Sequence, residues 1–451
     1  MVVLVLLLCE GEPVTAGQWK ETKHRRELTL HKLHNVIVCY ADWQQCDSRV
    51  LTAAEQGCNV IVWFAINIRL NQSSGAPMIL GGPDPDCVAG VARNLTLAEL
   101  DTVHLVSVGG WDQQHPDTSR PPVEVWEALK SWNEKVIARP HLSFSGYDGF
   151  DWDIEGSDSP SDAANTISVE LLEMIGAVSK MAKREGYVVS MAPLESYLDP
   201  STSLFNRSLQ QTYPEWANLA PGFNFHGRNS LAYLLVQHGH TTSWEPSHGA
   251  IKKKKKKATF DIISIQLYET FSHANYAILH QHEDPSVYLA QTVSRLTQGW
   301  VVDFSTDEDE RVRELGLQTV RVHGKQLVLG VANAWAGVGD PVRALYLTPL
   351  QLRAAYGSLL RLSLPPRSAS ASALLAGPIQ ARCVPLPCRL THRHTHTRRG
   401  FMFWSIKFEG TALVNTTNPV YFAVVLNSIL KVRPMNANGG GVVPRLSDLI
   451  Q

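Results

Sequence analysis

Eight short apolar runs, rich in β-branched residues, recur along this 451-residue chain. They are Asn35–Ala41, Asn59–Asn67, Val103–Gly110, Gly146–Glu155, Tyr187–Leu194, Asp261–Glu269, Gln326–Ala332 and Gly400–Phe408. Such continuous runs are expected of strands buried on both faces of a parallel sheet. The stretches between them are long enough for helices. Val123–Ile137 sets Val125, Leu129, Trp132 and Val136 on one helical stripe. Ala163–Arg184 does the same with Val169, Leu172, Ile175, Val178 and Ala182. Eight strands alternating with helices is the count of an α/β chain folded as a (β/α)8 TIM barrel, here a single domain over 34–432. A doubly wound open sheet competes, but it wants a glycine-rich phosphate loop after its first strand. Tyr40-Ala41-Asp42-Trp43 follows instead.

Two segments break the pattern, 240–257 and 363–399. The first ends in six lysines, Lys252 to Lys257, and the second carries six arginines and no Asp or Glu. Neither has a core-forming period, so both read as disordered insertions or as spurious translation, and 433–451 reads as a tail. The alternating His392, His394 and His396 lack an acidic partner and make a poor metal site. The net charge of −1 hides an acidic remainder, which argues against a nucleic-acid partner. No segment has the roughly 20 uninterrupted apolar residues of a membrane span, and the chain is expected to be a monomer with no membrane partner.

The apolar run Val2–Leu8 followed by Val14-Thr15-Ala16 makes 1–16 a candidate signal peptide, although basic residues ahead of the run are missing. Secretion is the expected destination, and the sequons at Asn71, Asn94, Asn206 and Asn415 are compatible with a glycoprotein. Of seven cysteines, Cys39, Cys46, Cys58 and Cys87 lie outside the leader and the arginine-rich block. They allow three disulfide pairings, and buried thiols are an equal alternative.

The fourth run reads G-Y-D-G-F-D-W-D-I-E-G. In a strand, residues two apart share a face, so Asp151, Asp153 and Glu155 line one face and Phe150, Trp152 and Ile154 the other. The apolar set belongs under the helices. The acids then climb the inner wall, about 6.6 Å per pair, to the C-terminal mouth where barrel active sites lie. Asp148, beside Gly149, has the opposite parity and serves the strand entry. Three like charges on a dry wall cannot all stay ionised, so at least one holds a proton near neutral pH. That keeps an acid available for proton donation, expected at Glu155. The rival is a metal site, because D-x-D-x-E can bind a hard cation if other strand ends add ligands such as Asp42 or Glu269.

Asp148-Gly149-Phe150-Asp151-Trp152-Asp153-Ile154-Glu155 resembles the D-G-x-D-x-D-x-E signature of the family 18 glycoside hydrolases, the chitinases and related enzymes. Ser107-Val108-Gly109-Gly110-Trp111 is similar to that family's third-strand motif, Met191-Ala192-Pro193 to its fifth strand end, Gln266-Leu267-Tyr268 to its sixth, and Met402-Phe403-Trp404-Ser405 to its eighth. The resemblance implies hydrolysis of β-1,4 links beside N-acetylglucosamine with retention, the substrate's own acetamide acting as nucleophile and no metal or cofactor needed. It implies Glu155 as acid and base, Asp153 as stabiliser of the intermediate, Asp151 as the partner sharing a proton with Asp153, and Tyr268 as donor to the acetamide oxygen. Trp404 would floor the sugar site, Trp111 would extend it, and Gln266 and Met191 would line it. Glu269 departs from the Asp or Asn of many relatives. The substrate would be chitin or another N-acetylglucosamine-containing glycan. An endo-β-N-acetylglucosaminidase acting on N-glycans, or an inactive chitin-binding lectin-like barrel, is the alternative.

Overall fold

A computed structural model describes residues 30, 33, 35–157, 159, 161–209, 228–245, 253–270, 272–337, 344–362, 400–412 and 419–431. The candidate leader, the tail and the arginine-rich segment lie outside them, as do Lys252 and Asn415.

Eight parallel strands close into a barrel. They are β1 (Val36–Ala41), β2 (Val60–Leu70), β3 (Val103–Gly109), β4 (Gly149–Asp153), β5 (Val188–Met191), β6 (Ile262–Gln266), β7 (Leu327–Ala332) and β8 (Gly400–Trp404). Each pairs with the next, and β1 pairs with both β2 and β8, which closes the ring. All eight apolar runs of the sequence therefore become staves. A helix follows each strand: α1 (Ser48–Glu55), α2 (Pro85–Leu97), α3 (Pro122–Trp132), α4 (Val169–Arg184), α5 (Ala232–Gln237), α6 (Pro285–Gln298), α7 (Pro349–Leu362) and α8 (Phe422–Leu430). The protein is a (β/α)8 barrel.

The helices start where the sequence supplies caps. Ser168 accepts from the Leu171 amide at α4, Asp47 from Arg49 at α1, and Asp284 with Pro285 opens α6. The five stripe residues of α4 are all buried, each apolar side chain of Val or Leu size adding roughly 1.5–3 kcal/mol. The stripe drawn for Val123–Ile137 fails at its end. Residues 133–137 form a π turn, so Asn133 and Ile137 turn inward, while Val136 is 53% exposed. A period of 3.6 cannot carry a face across a π turn.

Two apolar clusters follow the two faces of the strands. Val36, Val38, Val60, Val62, Leu105, Val188 and Ile262 fill the barrel interior. Phe150, Trp152 and Ile154 lie in the larger cluster between staves and helices. Cys39 pairs with Cys58 and Cys46 with Cys87, selecting one of the three connectivities. No helix among the described residues is long and apolar enough to cross a membrane.

The segment with the lysines differs from the expected disordered insertion over its described part. Lys253–Ala258 pairs antiparallel with His240–Glu245. A two-stranded ladder is made by backbone groups and needs no apolar side chains, which is why composition hides it. This hairpin enters β6 from the N-terminal end of the strand. Tyr268 lies six residues on, about 20 Å of extended chain away. The lysines and the tyrosine are thus at opposite ends of the stave.

Candidate active site

The acidic row lies where its period places it. Asp151, Asp153 and Glu155 are buried, at 0%, 5% and 5% exposure, and Phe150, Trp152 and Ile154 pack outward. Two glycines permit close approach along this stave. A Cβ on Gly149 would stand 1.9 Å from the Val188 carbonyl oxygen. One on Gly109, which has φ +102°, would stand 2.5 Å from the Asp153 carbonyl oxygen. The Gly110 amide donates to that same oxygen at 2.6 Å. Asp148 is at the lower end, where its carboxylate accepts from the His104 amide at 2.9 Å.

Asp151 accepts from the Tyr40 hydroxyl at 2.7 Å and the Ser107 hydroxyl at 3.1 Å. Burial pushes its carboxyl above the usual range, and the Ser190, Tyr40 and Ser107 hydroxyls oppose the push. Asp153 is hydrogen-bonded to Glu155, and the charge of Asp151 also acts on it. Both hydroxyls go to Asp151 Oδ2, and its Oδ1 is buried without a hydrogen-bond partner. Burial, then the charges of Glu155 and Asp151, push Asp153 well up; Glu155 is raised by burial and held back by its bonds to Asp153 and Gln266. Both carboxyls thus hold a proton to higher pH than exposed ones would, and the two titrate together as a pair.

Gln266 at the end of β6 joins the two acids. Its side-chain amide donates to Asp153 Oδ1 at 2.9 Å, Glu155 Oε1 at 2.8 Å and the Ala192 carbonyl at 2.6 Å. Tyr268 is 5% exposed in the interior cluster, and Tyr197 is fully buried. Burial, followed by the Glu269 charge for Tyr268 and the Glu155 charge for Tyr197, pushes both hydroxyls far up, so both remain O–H donors. Trp404 ends β8 half-buried, its ring centroid 5.7 Å from Tyr40 and 5.0 Å from Phe64. Trp335 stands edge-on to Tyr268 at 5.9 Å.

Six of the residues singled out in the sequence thus gather at the interior's upper end: Asp151, Asp153, Glu155, Gln266, Tyr268 and Trp404. Met191 does not. Ser190 and Ala192 face inward on β5, so Met191 faces outward and packs fully buried beneath the helices. Trp111 packs half-buried against that same outer cluster. Tyr40, Tyr197, Ser190 and Trp335 were missed. Tyr40 has the parity of Val36 and Val38, which was signal enough; Tyr197 and Trp335 sit in short 3-10 turns after strands, where no period points. Asp42, a suggested extra metal ligand, instead pairs with Lys407 at 3.3 Å. Among the described residues no group of three His, Cys, Asp or Glu side chains is arranged to hold a metal ion.

No protein-family model and no curated protein matches the chain. Solved structures do. The C-terminal domain of Legionella pneumophila ChiA is similar at 15% identity over 83% of this chain and 94% of that one, with a TM-score of 0.44. Ostrinia furnacalis Group IV chitinase, solved with allosamidin, is 11% identical over 88% and 98%, with a TM-score of 0.41. ChiC, a chitinase from Aspergillus fumigatus, is 15% identical over 82% and 91%, with a TM-score of 0.43. At these scores and identities the likeness assigns no role to any residue here; the barrel rests on the strand order and register above.

Proposed function

We propose that this protein is a secreted, chitinase-like glycoside hydrolase that cleaves β-1,4 links of N-acetylglucosamine polymers or oligomers with retention. The observation that carries the reading is the pair Asp153 and Glu155, buried at the barrel mouth and joined by the Gln266 amide, with burial raising both carboxyls. A dry pair that shares one proton can supply it to a leaving group and take it back from water.

In the reaction, the shared proton moves to Glu155 when the substrate acetamide N–H engages Asp153. Glu155 protonates the glycosidic oxygen as the acetamide oxygen attacks the anomeric carbon and the glycosidic bond breaks. The ionised Asp153 stabilises the positive oxazolinium ring. Tyr268, kept protonated, donates to the acetamide oxygen and holds it in line. Water then attacks the anomeric carbon, Glu155 takes its proton, and the ring oxygen bond opens to restore the acetamide. Trp404 offers an apolar face to the sugar C–H groups. Asp151, tied to Tyr40 and Ser107, keeps a negative neighbour below Asp153. The two disulfides support an oxidising destination.

The test is hydrolysis of chito-oligosaccharides and of a high-mannose glycopeptide by wild type and Glu155→Gln. Product from the oligosaccharides is expected, with a loss of at least ~10²-fold in the variant. Full activity in Glu155→Gln would overturn the mechanism. Cleavage of the glycopeptide alone would reassign the substrate to N-glycans, and binding without turnover by folded wild type would make the barrel a lectin.

A further inference from the structure

We propose that His115 is a positioning residue for Glu155, and that the arm of β2 beyond the barrel holds it in that role. The inference rests on the hydrolase reading for its consequence, but not for its geometry.

The β4 ladder ends at Asp153, so the segment bearing Glu155 runs past the support of its own sheet. Its backbone is held instead by the loop that follows β3. The Asp112 amide donates to the Gly156 carbonyl at 3.1 Å, and His115 Nε2 lies 2.9 Å from the Glu155 carbonyl oxygen. A carbonyl oxygen only accepts, so Nε2 carries a proton. Burial lowers the basicity of the ring, which favours the neutral form with its proton on Nε2.

His115 is itself anchored. β2 continues to Leu70 and pairs there with Pro77–Gly81, forming an arm above the barrel. From this arm Arg69 donates to the carbonyls of His115 at 3.0 Å and Gln114 at 3.3 Å. Asn67 donates to the Gln114 carbonyl at 2.8 Å, and the Asp117 amide returns a bond to Ile68 at 3.1 Å. The arm fixes the loop at both sides of His115, and the imidazole transmits that fixation to the residue carrying the proposed acid. Misplacement of a reacting group by about 1 Å is enough to cost ~10²-fold in rate. A fixed carbonyl at Glu155 also sets the direction from which its carboxyl meets Gln266 and Asp153.

The experiment compares wild type with His115→Ala, His115→Gln and Arg69→Met, the last keeping an apolar stem at a partly exposed position in case His115→Ala folds poorly. Two readouts are taken: kcat and KM on chito-oligosaccharides, and amide hydrogen exchange of residues 154–157. We expect His115→Ala to lower kcat roughly 10- to 100-fold with KM within about twofold, on the same positional argument. His115→Gln, whose amide can reach the same carbonyl, should recover most of it, and Arg69→Met should fall between. Exchange at 154–157 should quicken in the same order. Unchanged exchange in His115→Ala would overturn the contact. Unchanged kcat, or a loss in His115→Gln equal to that in His115→Ala, would overturn the positioning role. A wild type that turns over nothing removes the hydrolase reading instead, and the exchange data still decide the contact.

Discussion

The two halves of the barrel interior are built on opposite terms. The lower half is filled by Val36, Val38, Val60, Val62, Leu105, Val188 and Ile262, side chains with no polar atom. The upper half gathers three buried carboxyls with the hydroxyls of Tyr40 and Ser107, the Gln266 amide and the Tyr268 ring. The same strands pass through both, with alternating side chains except in β2, where the register shifts between Trp63 and Ile66. Packing holds the lower half together. The upper half is held by hydrogen bonds among groups that would rather be in water, and its raised carboxyls show the strain of that. Stability and chemistry are thereby assigned to different heights of one fold.

Substitutions at each height break or sharpen this division. The largest effect should come from Leu105→Ala, with about 2–5 kcal/mol of stability lost by denaturant unfolding and specific activity per folded molecule unchanged. A fall in kcat with little loss of stability would blur the division. Asp153→Asn should do the reverse, lowering kcat roughly 10²- to 10³-fold. Because folding raises the Asp153 pKa well above 3.8, the native state binds its proton more tightly than the unfolded chain. Wild type should therefore lose stability relative to Asp153→Asn as pH rises from about 3.8 through the folded pKa. Parallel pH profiles of the two melting temperatures would refute the shift. The smallest effect is expected of Tyr40→Phe, about 1–3 kcal/mol from a buried carboxylate short of a donor. That bond favours the ionised Asp151, so the loss should grow with pH, which thermal melts across a pH series will show.

What the sequence disclosed followed its periods. The eight staves were legible as continuous apolar runs, and the acidic row as a period of two. Parity would also have found Tyr40 and corrected Met191, which the family-like motif suggested and its odd position on β5 excludes. Contacts between strand ends were not legible. Gln266 stands 111 residues from Glu155, and only closure of the ring makes them neighbours. The hydroxyls that reach Asp151 come from Tyr40 and Ser107 on two other strands, which the acidic row itself does not reveal. His115 lies in a loop with no period at all, and its bearing on Glu155 shows only in the fold.

The lysine-bearing hairpin enters β6 at the end of the stave remote from Tyr268. Loops on that side connect a helix to the next strand and take no part in the mouth. Sequence can accumulate there, in length and in charge, at little risk to the acidic row. The same side is accordingly where an affinity tag, a surface tether or a fused partner could be spliced into this barrel without touching its mouth.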